Sequence, residues 1–341
     1  MSREAAPQEP CVRFVHRGRP ADVARLDRPV LLALIATEEE FDWDGEFSPS
    51  ATSTSAIDAL PVAQTLLRRH GLVPTYALDH PVASQRGDVF RAWADAGECE
   101  IGAHLHPWVN PPHVETVGGT HSFPGNLGPA IERAKLEELV ATIERGTGRR
   151  PFVYQAGRYG IAPHTPSTLA ELGFRVDTSV APPFDYTDEG GPNYAHFPNG
   201  PYWQDGVDGL LEVPVTGAYV GSLARTGAFL YPKVRGEHMD RLRVGGVLSR
   251  FGLLERSRLS PEGHDARDMK RLVQHLAARG NRVFTFYFHS PTVAPGCTEY
   301  VRDERELQRF LDESDRFLSW FLGEFGGEAW SYSRLYETLA R

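Results

Sequence analysis

The sequence predicts an α/β protein, a distorted single-domain (β/α)7-8 barrel. Three observations carry that expectation. Short β-like runs alternate with longer helical patterns along most of the chain, as right-handed βαβ units in a parallel sheet require. The 341 residues, 41% hydrophobic and 24% charged, suit one globular domain of barrel size. Polar residues finish almost every predicted strand, which a barrel built only for stability does not need.

The elements follow in order. The run "VLLALIA" (30–36) reads as a buried strand, and "AIDALPVAQTLLRRHG" as a helix with Gly71 as its stop. A second strand, "VPTYALDH" (73–80), precedes the helix "SQRGDVFRAWADAG". The third strand, "ECEIGAHLH" (98–106), runs into a Pro/Gly-rich connection that ends near Gly128. Next come the amphipathic helix "AIERAKLEELVATIERGTG", a fourth strand "PFVYQAGRYG", and a short helix "TPSTLAELGF" with a threonine cap. "RVDTSV" and "GLLEVPVT" are the fifth and sixth strands, with a long irregular insertion between them. The helix "PEGHDARDMKRLVQHLAARG", the seventh strand "NRVFTFYFHS" and the long helix "DERELQRFLDESDRFLSWFLGEF" complete the pattern. No internal repeat or linker divides the chain. The expected organisation is an N-terminal arm over residues 1–28 and a barrel over 29–341, with insertions around 107–128, 181–207 and 217–262.

A net charge of -9 argues against a general nucleic-acid binder, because phosphate contacts need a positive face. Only Lys135, Lys233 and Lys270 are lysines among the 36 cations, which reads as coding bias. Cys11, Cys99 and Cys297 show no CxxC spacing and cannot all pair, which fits a reduced, cytoplasmic setting. The first 28 residues are too polar for a signal peptide, and no apolar run approaches 18 residues, so no membrane association is expected. The oligomeric state is not legible.

Residues two apart at a strand end share a face, and reading each end this way gives a consistent set. Strand one offers Ala36, Glu38 and Glu40, strand two Asp79, and strand three His104 and His106. Strand four offers Arg158, strand five Asp177 and Ser179, and strand seven Tyr287 and His289. His104 and His106 could present two imidazoles to one cation. Spacing alone is weak evidence, since 13 histidines in 341 residues give about 13 × 13 / 341, or half, an H-x-H by chance. The placement after "EIGA" and before "PW" adds to it. Glu38 is the chosen carboxylate ligand, with Asp42 the alternative if the strand ends early. Glu39 should point the other way, and Glu40, Asp42 and Asp44 read equally well as a solvated acidic turn.

His289 suits a general acid, or else a satisfied histidine at a strand end. Arg158 could grip a carboxylate or orient a catalytic acid, or form an ordinary salt bridge. Asp177 could orient a histidine or Arg158, or cap its strand. The loop "VGGTHSFPGNLG" (117–128), with His121 and Asn126, could form a lid or supply an oxyanion donor, or simply connect two elements. Tyr194, Phe197, Tyr202 and Trp203 crowd the insertion at 191–206, where aromatic packing under a loop competes with a carbohydrate platform.

The order of these motifs resembles the polysaccharide deacetylase superfamily, the carbohydrate esterase family 4-like hydrolases. "LLALIATEEEFDW" stands where that family has its first aspartate motif. "EIGAHLHPW" is similar to its histidine motif, "QAGRYG" to its arginine motif, "DTSV" to its fourth motif and "FTFYFHSP" to its last. A divergent bacterial branch with "TEEEFDW", "HLHPW" and "PGNL" is most similar. The resemblance runs from about Val30 to Pro295 and covers five strand ends.

It implies one divalent metal, most often zinc, and hydrolysis of an N-acetyl group on a sugar; the polar N-terminus makes a small-molecule or glycoconjugate substrate the expectation over a wall polymer. It implies His104, His106 and Glu38 as ligands, with Glu38 in place of the usual aspartate. The family more often spaces its histidines four apart, and the residue four after His104 is Trp108. Arg158 would orient the base, and His289 would be the general acid; Asp177 is counted with them as a catalytic candidate. Asp79, Trp108, Asn126, Tyr159 and Tyr287 are the residues expected at the substrate. The base itself is expected at position 36, where the chain has Ala36. Without a carboxylate there, the rate should fall by roughly 10²–10⁴. Three explanations compete: a substitution introduced to trap substrate, a natural binding protein, or another acid (Glu40, Asp42 or Asp79) as base. Rival readings are hydrolysis of another C–N bond on the same scaffold and a catalytically dead carbohydrate-binding protein. A two-histidine-one-carboxylate iron oxygenase has the right ligands but the wrong fold.

Overall fold

A computed structural model describes residues 16, 18–43, 45–227, 231 and 253–341. Most of the predicted N-terminal arm, and the middle of the insertion predicted at 217–262, lie outside the described residues. So do Cys11 and Asp44.

The strands are β1 (Gly18–Pro20), β2 (Val30–Thr37), β3 (Thr75–Leu78), β4 (Glu100–Leu105), β5 (Val153–Ala156), β6 (Val176–Asp177), β7 (Tyr202–Gln204), β8 (Leu211–Glu212), β9 (Gly217–Val220), β10 (Glu255–Arg258), β11 (Val283–His289) and β12 (Glu328–Ala329). The helices among the described residues are α1 (Pro61–Arg69), α2 (His80–Asp95), α3 (Pro129–Thr147), α4 (Thr165–Glu171), α5 (Ala266–Ala277), α6 (Glu304–Leu322) and α7 (Tyr332–Ala340).

One sheet runs in the order β1-β7-β8-β6-β5-β4-β3-β2-β11. The stretch from β11 through β2, β3, β4, β5 and β6 to β8 is entirely parallel. This is the expected α/β barrel architecture in its distorted form, and the ladder among the described residues does not close. Antiparallel β7 and β1 continue it beyond β8. All eight residues of β2 are buried, so no alternation appears in "VLLALIAT", as expected of a strand covered on both faces. β11 pairs along β2 from Val30 to Ala36, while β3 and β12 divide its other edge.

Several elements differ from the sequence expectation. The predicted threonine cap of α4 is replaced by His164, because the Thr165 hydroxyl donates instead to buried Glu132 at 2.8 Å. The C-terminal helix α7 and the antiparallel pair β9–β10 carried too little periodicity to be read in advance. Glu100 fixes α7 by accepting hydrogen bonds from the Tyr332 and Ser333 amides. The register Gly217↔Arg258 sets Arg258 opposite the first residue of β9, beside the barrel.

Candidate active site

The C-terminal ends of β2, β4, β5, β10 and β11 meet around a cavity of about 170 Å³. Its wall includes Glu38, His104, His106, Arg158, Tyr287 and His289. Two further residues of the wall, Arg258 and Tyr186, come from insertions. Parallel strands deliver their last side chains to one end, so residues distant in sequence converge there.

Glu38 Oε2 lies 3.2 Å from His104 Nε2 and 3.5 Å from His106 Nε2. The far nitrogens face other acceptors. His104 Nδ1 donates to the Gln155 carbonyl at 3.0 Å, and His106 Nδ1 pairs with Glu39 Oε2 at 2.8 Å. Each Nε2 lone pair is thereby turned toward Glu38, which is how histidines bound to metals are usually held. Two imidazole nitrogens and one carboxylate oxygen fit a divalent cation with positions left open. Burial alone would raise the Glu38 carboxyl, but His289, His104 and His106 together hold it at about 2. Burial lowers both histidines, favouring neutral rings whose one proton sits on Nδ1 and whose Nε2 is bare.

Glu39 turns away from the cavity that Glu38 lines, as the sequence reading had it, but it has a role that reading did not give it. It is fully buried and points at the back of His106. Trp108 Nε1 donates to its other oxygen at 2.7 Å, and the Trp108 ring stacks on His106 with centroids 4.2 Å apart. Gly157 makes room for this packing: a Cβ there would lie 2.6 Å from His106 Cδ2 and 2.4 Å from the Leu105 carbonyl.

Across the cavity, His289 Nδ1 lies 2.9 Å from Glu262 Oε2, and its Nε2 is 2.8 Å from the Tyr287 hydroxyl. Burial opposes the imidazolium, yet Glu262 and Glu38 push its pKa up to about 9. Glu262 went unnoticed in the sequence. It lies 27 residues before its partner, in a stretch read as the start of a helix. Arg158 and Tyr159 hold φ of +53° and +60°, the left-handed region that side chains rarely occupy. That backbone turns Arg158 onto the Phe123 ring at 4.2 Å, with bonds to Ser122 Oγ at 2.6 Å and to Glu189.

Four predicted residues take other places. Asp79 is fully buried and caps α2, accepting from the Val82 amide at 2.8 Å and the Glu39 amide at 2.7 Å. Trp108 positions His106 and is 1% exposed. Asn126 donates to the Thr120 and Gly190 carbonyls, tying two insertions together. Asp177 accepts from Ser179 at 2.5 Å and sits beside Glu212, where burial pushes its carboxyl up to about 6; it touches neither Arg158 nor a histidine. Tyr159 and Tyr287 do line the cavity.

Ala36 is fully buried, in register with His289 on one side and Ala77 on the other. Of the substitutes for a base, Glu40 is held by Ser53, Ser55 and the Ala56 amide. Asp79 is occupied as a cap. Asp42 lines an adjoining groove that Glu38 and His289 also border. Cys99 and Cys297 are free thiols, and no helix among the described residues is long and apolar enough to cross a membrane.

No family model matches the chain, and no curated protein sequence matches it. Solved structures do. A Mycobacterium smegmatis protein described as a polysaccharide deacetylase is 18% identical, with TM-score 0.52 over 96% of this chain and 95% of the other. PuuE allantoinase gives 14% identity and TM-score 0.54 over 98% and 97%. A Pseudomonas aeruginosa PAO1 protein described as a polysaccharide deacetylase gives 14% and 0.53 over 94% of both chains. The chain has the fold of these proteins.

Proposed function

From the polysaccharide deacetylase fold and the geometry at its mouth, we propose that this chain is a metal-dependent amidohydrolase scaffold. Its substrate would be an N-acetylated amino sugar, as a small molecule or glycoconjugate, in the cytoplasm. The observation that carries the reading is the convergence of Glu38 Oε2, His104 Nε2 and His106 Nε2 opposite the His289–Glu262 pair. A divalent cation held by the three ligands, with zinc the best fit to two imidazoles and a carboxylate, would polarise the amide carbonyl and acidify water.

The protein's own groups supply the rest. Glu39 and the Gln155 carbonyl hold the two histidines in orientation. His289 stores a proton for the departing amine, and Glu262 keeps it there. Arg158, fixed by Ser122 and Glu189, presents its charge to the cavity. What the chain lacks is a carboxylate at Ala36 to accept the proton of the attacking water, so turnover is impaired.

The test is acetate release from a panel of N-acetylated sugars by the chain as it stands and by Ala36→Asp, each with and without zinc. Zinc-dependent release by Ala36→Asp alone is the expected result. Silence from both, with zinc bound stoichiometrically, would sink the deacetylase reading. Two alternatives then remain. The likeness to an allantoinase favours another C–N bond, detected by ammonia or ring-opening assays. Ala36 itself favours a binding protein, whose sugar affinity would not change in Ala36→Asp.

A further inference from the structure

Arg158 has an ion-pair partner in Glu189, but Arg258 has none among the described residues. Its Nη atoms donate to two phenol oxygens, Tyr159 at 2.7 Å and Tyr186 at 2.9 Å, and its Nε–H has no partner. The rings of Phe184 and Tyr159, with centroids 4.3 and 4.7 Å from the guanidinium carbon, offset part of the lost hydration. They supply no negative charge, and a desolvated guanidinium without one is costly.

The hydroxyls make the imbalance specific. The Tyr287 hydroxyl, 2.8 Å from His289 Nε2, stands on the same cavity wall as Tyr159 and Tyr186. The Tyr159 and Tyr186 oxygens accept from the Arg258 guanidinium, so each phenol turns its own O–H away from Arg258. Both phenols and Arg258 line the cavity. This part of the wall offers donors and a positive charge, and its complement is a group with acceptors only.

We propose that Arg258, Tyr159 and Tyr186 form an anion seat in the cavity wall, so that the substrate carries a carboxylate or phosphate besides its amide. The inference deepens the amidohydrolase reading and rests on it. The adjoining groove, bordered by Glu40, Asp42 and Glu299, has the opposite polarity and suits the side on which the amine departs.

The test is calorimetric titration of the zinc-loaded chain, in which Ala36 is expected to slow turnover. The probes are N-acetylglucosamine, its 6-phosphate and N-acetylmuramic acid. One anionic probe, phosphate or carboxylate, is expected to bind at least about tenfold more tightly than the neutral sugar, as one charged hydrogen-bonded pair provides. Which of the two does so identifies the anion. Arg258→Gln should weaken that probe about tenfold more than it weakens the neutral one. Tyr186→Phe, which removes one donor and keeps the ring, should shrink the preference about threefold, and it decides the matter if Arg258→Gln does not fold. Equal affinity for all three probes, no binding by either anionic probe, or a preference unchanged in the variants overturns the seat. Failure to bind stoichiometric zinc counts instead against the amidohydrolase reading, and the same affinity ratio is then read on the metal-free chain.

Discussion

Glu39 accepts a hydrogen bond from Nδ1 of His106 at 2.8 Å while that ring's Nε2 faces Glu38 Oε2 at 3.5 Å. Adjacent glutamates thus grip opposite sides of one imidazole, the first from the cavity and the second from the core. Burial pushes the Glu39 carboxyl up to about 7, with nearby Glu38 adding to the rise. The pairing fixes the tautomer that leaves Nε2 available.

Glu39→Ala should therefore weaken zinc binding by roughly 10–100-fold although Glu39 never reaches the metal position. Competition against a chromophoric chelator reads the affinity. An unchanged constant would mean that Trp108 stacking alone orients His106.

Glu38→Ala removes one of the three proposed ligands, and His104→Ala another. Each should abolish stoichiometric zinc binding at micromolar protein. In the unsubstituted chain, zinc at a hundredfold excess over its dissociation constant should add about 2.7 kcal/mol of stability. Thermal melts with and without zinc check both points. A full zinc-induced shift in Glu38→Ala would remove Glu38 from the ligand set.

The legible part of this site was what strand ends express locally. His104, His106, Glu38 and His289 each follow a hydrophobic run, and period-two reading set their faces. The part Glu39 plays was not legible, because that rule assumes the strand continues and so says nothing of what lies behind His106. β2 ends at Thr37, and the turn beyond it lets neighbouring glutamates face the same histidine. Glu262 and Arg258 left no local signal, since their roles come from contacts across the barrel mouth. Asp79 had the right type and place, but helix α2 begins one residue later and takes its carboxylate as a cap. The barrel itself was readable because alternating β and α periods dictate a parallel sheet. The antiparallel β7 and β1 were not, because three residues are too few to show a period.

His289 should titrate near 9 in the metal-free chain, and Glu262→Gln should move it down toward the ordinary value near 6.5. The sign follows from linkage. A histidine with a raised folded pKa contributes stability that is fully present below about 6.5 and is lost as pH rises through about 9. The wild-type advantage in stability over Glu262→Gln should therefore shrink across that window. Imidazole proton resonances report the titration. A His289 pKa unmoved by Glu262→Gln would show that Glu38 alone sustains the charge.

Lys135 is fully buried on α3, ion-paired with Glu115 at 2.9 Å and donating to the Pro107 and Asn110 carbonyls. It pins the segment that leaves His106. Lys135→Met should cost about 3–5 kcal/mol, because it strands a buried carboxylate and two carbonyls. Urea denaturation measures this, and a loss below about 1 kcal/mol would mean that Glu115 is solvated in the native state.

Ala36→Asp sets function against stability. The side chain at 36 enters a fully buried position in register with His289, so the new carboxylate meets an imidazolium on one side and Glu38 two residues away on the other. The imidazolium favours its ionised form, while burial and Glu38 oppose it. Without metal, the second effect should dominate, and Ala36→Asp should melt below the parent chain. With zinc bound, Glu38's charge is offset, so the deficit should narrow. Turnover should rise by roughly 10²–10⁴ once the carboxylate can take a proton from water. Melts and acetate release measured on the same preparations check the pair of effects together. A deficit that zinc leaves unchanged would place residue 36 too far from Glu38 for their charges to interact, and would count against position 36 as the seat of the base.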